Sequence, residues 1–179
     1  MISAAIAIAA MYWAEYTKGR GFLITGVFVV LILFMIIDIF RLELKKGVPL
    51  FSFLEREKEN NRMIAITYAA IAVMIMLSIY RFEIAMTALA MGFFGDATSA
   101  LVGIRWGKKK LMGKKTLEGS LANFFTCLLV GFLFLENIFL IFCMALTATV
   151  VELLIHKLED NFYVPIFTGL VGQLLLLFW

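Results

Sequence analysis

The sequence predicts an all-α, polytopic membrane protein of about seven transmembrane helices, the first of them short. Three observations carry this. Of 179 residues, 63% are apolar and 16% charged, against roughly 45–50% and about 25% in a soluble domain. The mean hydropathy is +0.99, more apolar surface than a soluble fold of this length has interior to hide. The apolar residues also fall into long runs rather than alternating, and each run approaches the roughly 20 residues that a bilayer core of about 30 Å demands. Other classes drop out. Two cysteines, Cys127 and Cys143, both inside apolar runs, make no disulfide scaffold, and two prolines with no polar low-complexity tract exclude a disordered chain.

The runs lie near 2–16, 21–40, 63–80, 82–104, 120–135, 137–156 and 162–179, within one integral membrane domain spanning 1–179. The first, Met1–Tyr16, reaches only about 24 Å at 1.5 Å per residue. It lacks a basic n-region, and Glu15 follows its apolar core, so it is no signal peptide. It is expected to be either a partial helix or part of a chain that starts upstream. No internal repeat suggests an inverted-repeat transporter.

Two sizeable loops remain, about 41–62 and 105–119, both after even-numbered helices and therefore on one face. Arg41, Lys45, Lys46, Arg56, Lys58 and Arg62 occupy the first; Arg105, Lys108, Lys109, Lys110, Lys114 and Lys115 occupy the second. With Lys157, 13 of the 16 basic residues share that face, against Lys18, Arg20 and Arg81 on the other. The positive-inside rule makes the rich face cytoplasmic, with the N-terminus in and the C-terminus out of a multi-pass cell-membrane protein.

Polar residues within membrane helices are costly and therefore informative. The densest group runs from Gly92 to Gly103. Asp96, Ala100, Gly103 and Gly107 are spaced 4, 3 and 4, which puts them on one helical face. A small-residue packing face explains the glycines; it does not explain the carboxylate, so Asp96 is a candidate functional residue. Six of the 13 glycines fall between Gly92 and Gly119, among six basic side chains of the second loop. Glycine lets backbone N–H groups turn toward an anion and lysine supplies mobile charge, a combination suited to a polyphosphate. A basic loop touching anionic headgroups is the competing explanation, and the interleaved glycines with Thr116 and Glu118 argue against it. A P-loop is excluded. Gly107 to Gly113 followed by Lys114-Lys115-Thr116 is one residue too long and lacks the preceding strand of a soluble α/β unit.

Glu152, His156, Glu159, Asp160, Asn161 and Pro165 form a second polar group. Glu152 and His156 share a helix face. Carboxylates facing a triphosphate are the hard oxygen ligands Mg²⁺ takes; for Asp160-Asn161 helix capping is the simpler role. A single histidine makes no zinc site, and the two cysteines suit packing. At the end of the second helix Asp38 and Arg41, i and i+3, are placed to pair, and the mixed charges of the first loop suit a solvated amphipathic segment, with substrate gating as the alternative.

Gly95-Asp96-Ala97, Val102-Gly103, Gly107-Lys108 and Lys114-Lys115-Thr116-Leu117-Glu118-Gly119-Ser120 together resemble the CTP-dependent lipid-alcohol kinases, the family of dolichol kinase, phytol kinase and the CTP-using diacylglycerol kinase. Glu152, Asp160-Asn161 and Pro165 resemble the family's closing pattern, and Asp38 with Arg41 its early one. Phosphatidate cytidylyltransferases carry a similar Asp, Gly-Lys and Lys-Lys-Thr-x-Glu-Gly run. They usually have Ser-Pro before the Lys-Lys-Thr, where this chain has Met112-Gly113, and they end in a Gly-His-Gly-Gly and Asp-Arg segment that is absent here. The kinases commonly open with a basic pair and a histidine, where this chain has Met1-Ile2-Ser3-Ala4.

The resemblance implies a phospholipid-biosynthetic membrane kinase that moves the γ-phosphoryl group of CTP to a lipid alcohol: a polyprenol or dolichol, another isoprenoid alcohol, or diacylglycerol. It implies Asp96, Lys115 and Glu118 as catalytic residues. It puts Gly103, Gly107, Lys108, Gly113, Lys114, Lys115, Thr116, Gly119 and Ser120 on the nucleotide, and Asp96, Asp160 and Glu152 on Mg²⁺. Glu118 either holds a second metal or orients Lys115. The implied partners are a nucleoside triphosphate, a lipid alcohol and the bilayer, with no nucleic acid. CDP-lipid synthesis and a non-catalytic membrane subunit or carrier are the alternatives. Polar groups gathered toward one face favour an enzyme over a carrier, which would spread them near the midplane.

Overall fold

A computed structural model of the chain describes residues 2–44, 65–113, 115–155 and 160–178. It is helical apart from one small hairpin: α1 (Ile2–Lys18), α2 (Arg20–Leu44), α3 (Ala65–Ile79), α4 (Phe82–Trp106), β1 (Lys110–Met112), β2 (Lys115–Thr116), α5 (Leu117–Phe134), α6 (Ile138–Leu154) and α7 (Asp160–Phe178). Each helix coincides with one of the apolar runs. Among the described residues, Arg20–Phe40, Phe82–Trp106 and Leu117–Phe134 are long and apolar enough to cross a membrane, while Ile66–Ile79, Ile138–Leu154 and Phe162–Phe178 are shorter apolar helices. The structure thus supports three spanning helices by length and composition, where the sequence predicts about seven.

The breaks between helices have local causes. Gly19, at φ +82, takes a left-handed conformation that side chains resist and separates α1 from α2. Arg20 then reaches across to the end of α3: its guanidinium donates to the Leu77 carbonyl from Nε at 3.0 Å, and also to the Tyr80 carbonyl. A cation on the last carbonyls of a helix satisfies acceptors the helix itself leaves open. The Arg81 backbone N–H donates to Gln173 Oε1 at 2.9 Å, tying the α3–α4 junction to α7.

The core is centred on α4. Every residue from Ile84 to Gly92 is buried, which is how a helix apolar all round must sit. It packs against α5, α6 and α7. Glycines set those distances: a Cβ on Gly92 would meet Pro165 Cγ of α7 at 2.9 Å, and one on Gly119 of α5 would meet the Ser99 carbonyl oxygen of α4 at 2.8 Å. Pro165 lies inside α7, a position membrane helices tolerate when neighbours serve the freed backbone. Apolar side chains on the α2 surface such as Phe22, Leu33, Ile39 and Phe40 are more than half exposed, as a lipid-facing surface requires.

Asp38, 1% exposed, accepts a hydrogen bond from Thr67 Oγ1 at 2.6 Å, linking α2 to α3. The Arg41 side chain, expected beside it, and most of the first loop lie outside the described residues, as do Lys114, His156, Lys157 and Glu159.

Candidate functional site at the α4 C-terminus

The stripe predicted from the 4-3-4 spacing is one wall of a cavity of about 480 Å³. From α4 come Asp96, Ala100, Gly103 and Gly107, with Ser99 and Ile104 beside them; from the hairpin and the start of α5 come Lys110, Gly113, Lys115 and Thr116. A separate cavity of about 360 Å³ between α1, α2 and α3 is lined by apolar residues alone, such as Ala10, Met11 and Val27, and offers no polar group for chemistry.

The loop predicted at 105–119 is more ordered than a basic tether. Lys110 pairs with Thr116 and Met112 with Lys115 in an antiparallel hairpin, and Gly113, at φ +57, makes its turn. Glu118 closes the structure from below: Oε2 accepts from the backbone N–H of Lys108 at 3.0 Å and of Lys109 at 3.3 Å. The first turn of α5 is served internally. The Leu117 N–H donates to the Lys109 carbonyl at 2.8 Å and the Gly119 N–H to the capping Thr116 Oγ1 at 3.2 Å. These four N–H groups are therefore committed to the fold. The cavity lining adds two ammonium side chains, those of Lys110 and Lys115.

Lys115 is the centre of the electrostatics. Its ammonium contacts Glu152 Oε1 and lies 3.7 Å from Asp96 Oδ1. The three side chains differ in access: Asp96 is 35% exposed, Lys115 20% and Glu152 1%. Glu152 Oε1 also accepts from Ser99 Oγ at 3.0 Å, and Oε2 accepts from Asn123 Nδ2 at 2.8 Å. A carboxylate buried this deeply is tolerable only when paired and hydrogen-bonded, and both oxygens are.

The sequence-predicted site residues thus separate into groups. Asp96, Gly103, Gly107, Gly113, Lys115 and Thr116 share the cavity wall. Gly119 sits behind Thr116, packed on α4. Ser120 is 7% exposed, with no hydrogen-bond partner for its Oγ. Lys108 is exposed on the hairpin's approach, and Glu118 contacts backbone there. The side chain of Asp160, like Lys114, lies outside the described residues. Ser99 and Asn123 carry no predicted role, yet they complete the shell of Glu152. Thr116, Gly119, Ser120, Asn123 and Cys127 form a polar or small-residue face along α5 that is legible by the same intramembrane-polarity rule that singles out Asp96.

Among the described residues no three His, Cys, Asp or Glu side chains gather to hold a metal. Mg²⁺, however, commonly takes one or two carboxylates and completes its shell with phosphate oxygens and water, and Asp96, the accessible carboxylate of the cavity, fits that limited role.

No protein-family model, curated protein or solved structure matches the chain.

Proposed function

We propose that the chain is a membrane-embedded phosphotransferase that moves the γ-phosphoryl group of CTP to a lipid alcohol. The observation that carries this reading is the joining of Asp96 and Lys115 in one cavity whose wall also includes apolar α4 residues. Ile104 and the adjacent Leu101 are 89% and 61% exposed, so a bilayer around α4 would bring lipid to the cavity's edge. A soluble polyphosphate reaches such a cavity from the hairpin side, and an alcohol that stays in the bilayer reaches it from the α4 side. The choice of CTP rests on the resemblance of the Asp96–Ser120 segment to the lipid-alcohol kinases.

Phosphoryl transfer asks the protein for positioning and charge neutralisation. Lys115 and Lys110 supply positive charge to the phosphates, and the turn at Gly113 lets the chain approach them closely. Asp96 would hold Mg²⁺, which when bound neutralises charge on the transferring phosphate. The basic loops set the reaction on the cytoplasmic face. The acceptor hydroxyl attacks the γ-phosphorus and its proton passes to water, the bond to the bridging oxygen breaks, and CDP and a lipid monophosphate leave.

The test is product analysis of the purified protein in nanodiscs, given labelled CTP or ATP, Mg²⁺ and a panel of polyprenols, isoprenoid alcohols and diacylglycerol. CDP with a phosphorylated lipid is the expected outcome. Pyrophosphate released in the presence of phosphatidate would assign the chain to CDP-lipid synthesis. Turnover of no lipid would favour a non-catalytic membrane subunit.

A further inference from the structure

Asn123 lies in the apolar middle of α5 and is 1% exposed, which calls for a reason. Its orientation is fixed by its neighbours. Cys127 Sγ donates to Asn123 Oδ1 at 3.1 Å, and Thr149 Oγ1 lies 3.4 Å from the same oxygen. The ionised Glu152 carboxylate can only accept, so the amide presents Nδ2 to it, and Oε2 accepts at 2.8 Å. Gly95 makes this possible, since a Cβ there would stand 2.8 Å from Asn123 Oδ1. Ser99 Oγ approaches the opposite oxygen of Glu152, the one that contacts Lys115. Three helices, α4, α5 and α6, thus converge on one carboxylate, and that carboxylate meets the lysine at the cavity wall.

We infer that Asn123 and Ser99 are positioning residues: they fix the Glu152 carboxylate, and Glu152 in turn holds the charged end of Lys115 at the cavity. This assigns Glu152 to the lysine and leaves Asp96 as the carboxylate that faces an incoming cation. The role of the held lysine toward phosphate rests on the function proposed above; the holding itself does not. A long, mobile lysine loses rotamer freedom when it grips a ligand, and a lysine already held by a buried carboxylate has lost most of it beforehand.

Two measurements on the full chain in nanodiscs test this. The first is acetylation of Lys115 by an N-hydroxysuccinimide ester, followed by peptide mass spectrometry; the second is binding of inorganic tripolyphosphate with Mg²⁺ by calorimetry. Asn123→Ala and Ser99→Ala should each raise the acetylation rate about threefold and weaken tripolyphosphate about tenfold, and neither should weaken it further in a Lys115→Met background, as coupled residues require. Ser99→Ala removes one hydroxyl from a helix that already carries Ala97 and Ala100, so it keeps the test decisive where Asn123→Ala fails to fold. Unchanged acetylation of Lys115 in the folded variants would overturn the inference, as would a binding penalty that persists without Lys115. Tripolyphosphate binding indifferent to Lys115→Met would instead remove the phosphate role of the cavity, with the acetylation rates still deciding the positioning.

Discussion

Asp96 and Lys115, nineteen positions apart in the chain, stand 3.7 Å apart from Oδ1 to Nζ, across the junction of α4 and β2. Among the described residues Glu152 contacts the same ammonium, so this lysine lies between two carboxylates. A polyphosphate entering beside those carboxylates is favoured when a divalent cation accompanies it and offsets the like charges.

Asp96→Asn preserves size and hydrogen bonding while removing the charge that would meet that cation. Lys115 keeps Glu152, so the fold should survive. Turnover should fall about 100-fold or more, beyond the usual cost of losing an outer-shell partner of a metal, with the thermal unfolding midpoint close to wild type. Lys115→Ala should raise the nucleotide KM before it lowers kcat. Near-normal turnover of Asp96→Asn across a Mg²⁺ titration would return Asp96 to a packing role.

The glycines of α4 and α5 make a second, sharper prediction. A Cβ at Gly119 would press on the backbone carbonyl of Ser99 at 2.8 Å, an atom that cannot swing aside. Gly119→Ala should therefore cost about 1–3 kcal/mol, the usual range for overpacking, and should also weaken nucleotide binding, since it displaces Ser99 and Thr116 of the cavity. Gly26 of α2 has nothing within 4 Å of its would-be Cβ; Gly26→Ala should leave the unfolding midpoint unchanged or raised, as helix propensity favours alanine by about 1 kcal/mol. Equal effects of the two substitutions in a thermal unfolding series would refute the packing argument.

Topology is open to labelling. Arg81 precedes α4 and Lys110 follows it, both exposed, and 25 residues of helix separate the two ends by about 37 Å. A membrane-impermeant maleimide added to intact cells should label Arg81→Cys and miss Lys110→Cys and Lys46→Cys. Labelling at position 110 from outside would reverse the orientation drawn from the basic loops.

Much of this architecture is legible in the sequence because the bilayer makes the signal one-dimensional: an apolar run must be a helix, since no other local structure satisfies its backbone in lipid. Asp96 stands out for the same reason, as a charge where charge is costly. The hairpin does not stand out. Residues 110–116 contain three lysines and a glycine, with no alternation to mark a strand, and the far side of the loop is held by the distant carboxylate of Glu118. Nor does the sequence show that Glu152 serves Lys115. That contact spans 37 positions and depends on how α5 and α6 pack, which the near-uniform apolarity of both helices leaves unspecified. Asn123 carries a signal of the same kind, since an asparagine inside an apolar helix obeys the same logic as Asp96.

Glu118 provides the test that separates structure from chemistry in the loop. Sequence alone allows it a metal or the orientation of Lys115; in the fold its carboxylate accepts from the backbone N–H groups of Lys108 and Lys109, with Oε2 at 3.0 and 3.3 Å. One oxygen can serve both donors, because a carbonyl-type oxygen has two lone pairs. Glu118→Gln retains such an oxygen, and Glu118→Ala does not. A clamp therefore predicts that the glutamine variant behaves close to wild type, while the alanine variant opens the hairpin. A metal ligand predicts that both fail alike, since the neutral amide is a far poorer partner for Mg²⁺. Trypsin cleavage after Lys108, Lys109 and Lys110 reads the opening directly, since local unfolding exposes the backbone. Cleavage should be several-fold faster in Glu118→Ala, with a raised KM for nucleotide and only a small change in kcat. If Glu118→Gln loses turnover as completely as Glu118→Ala while its loop resists trypsin, the clamp is wrong and Glu118 belongs with Asp96 among the groups that face the phosphates.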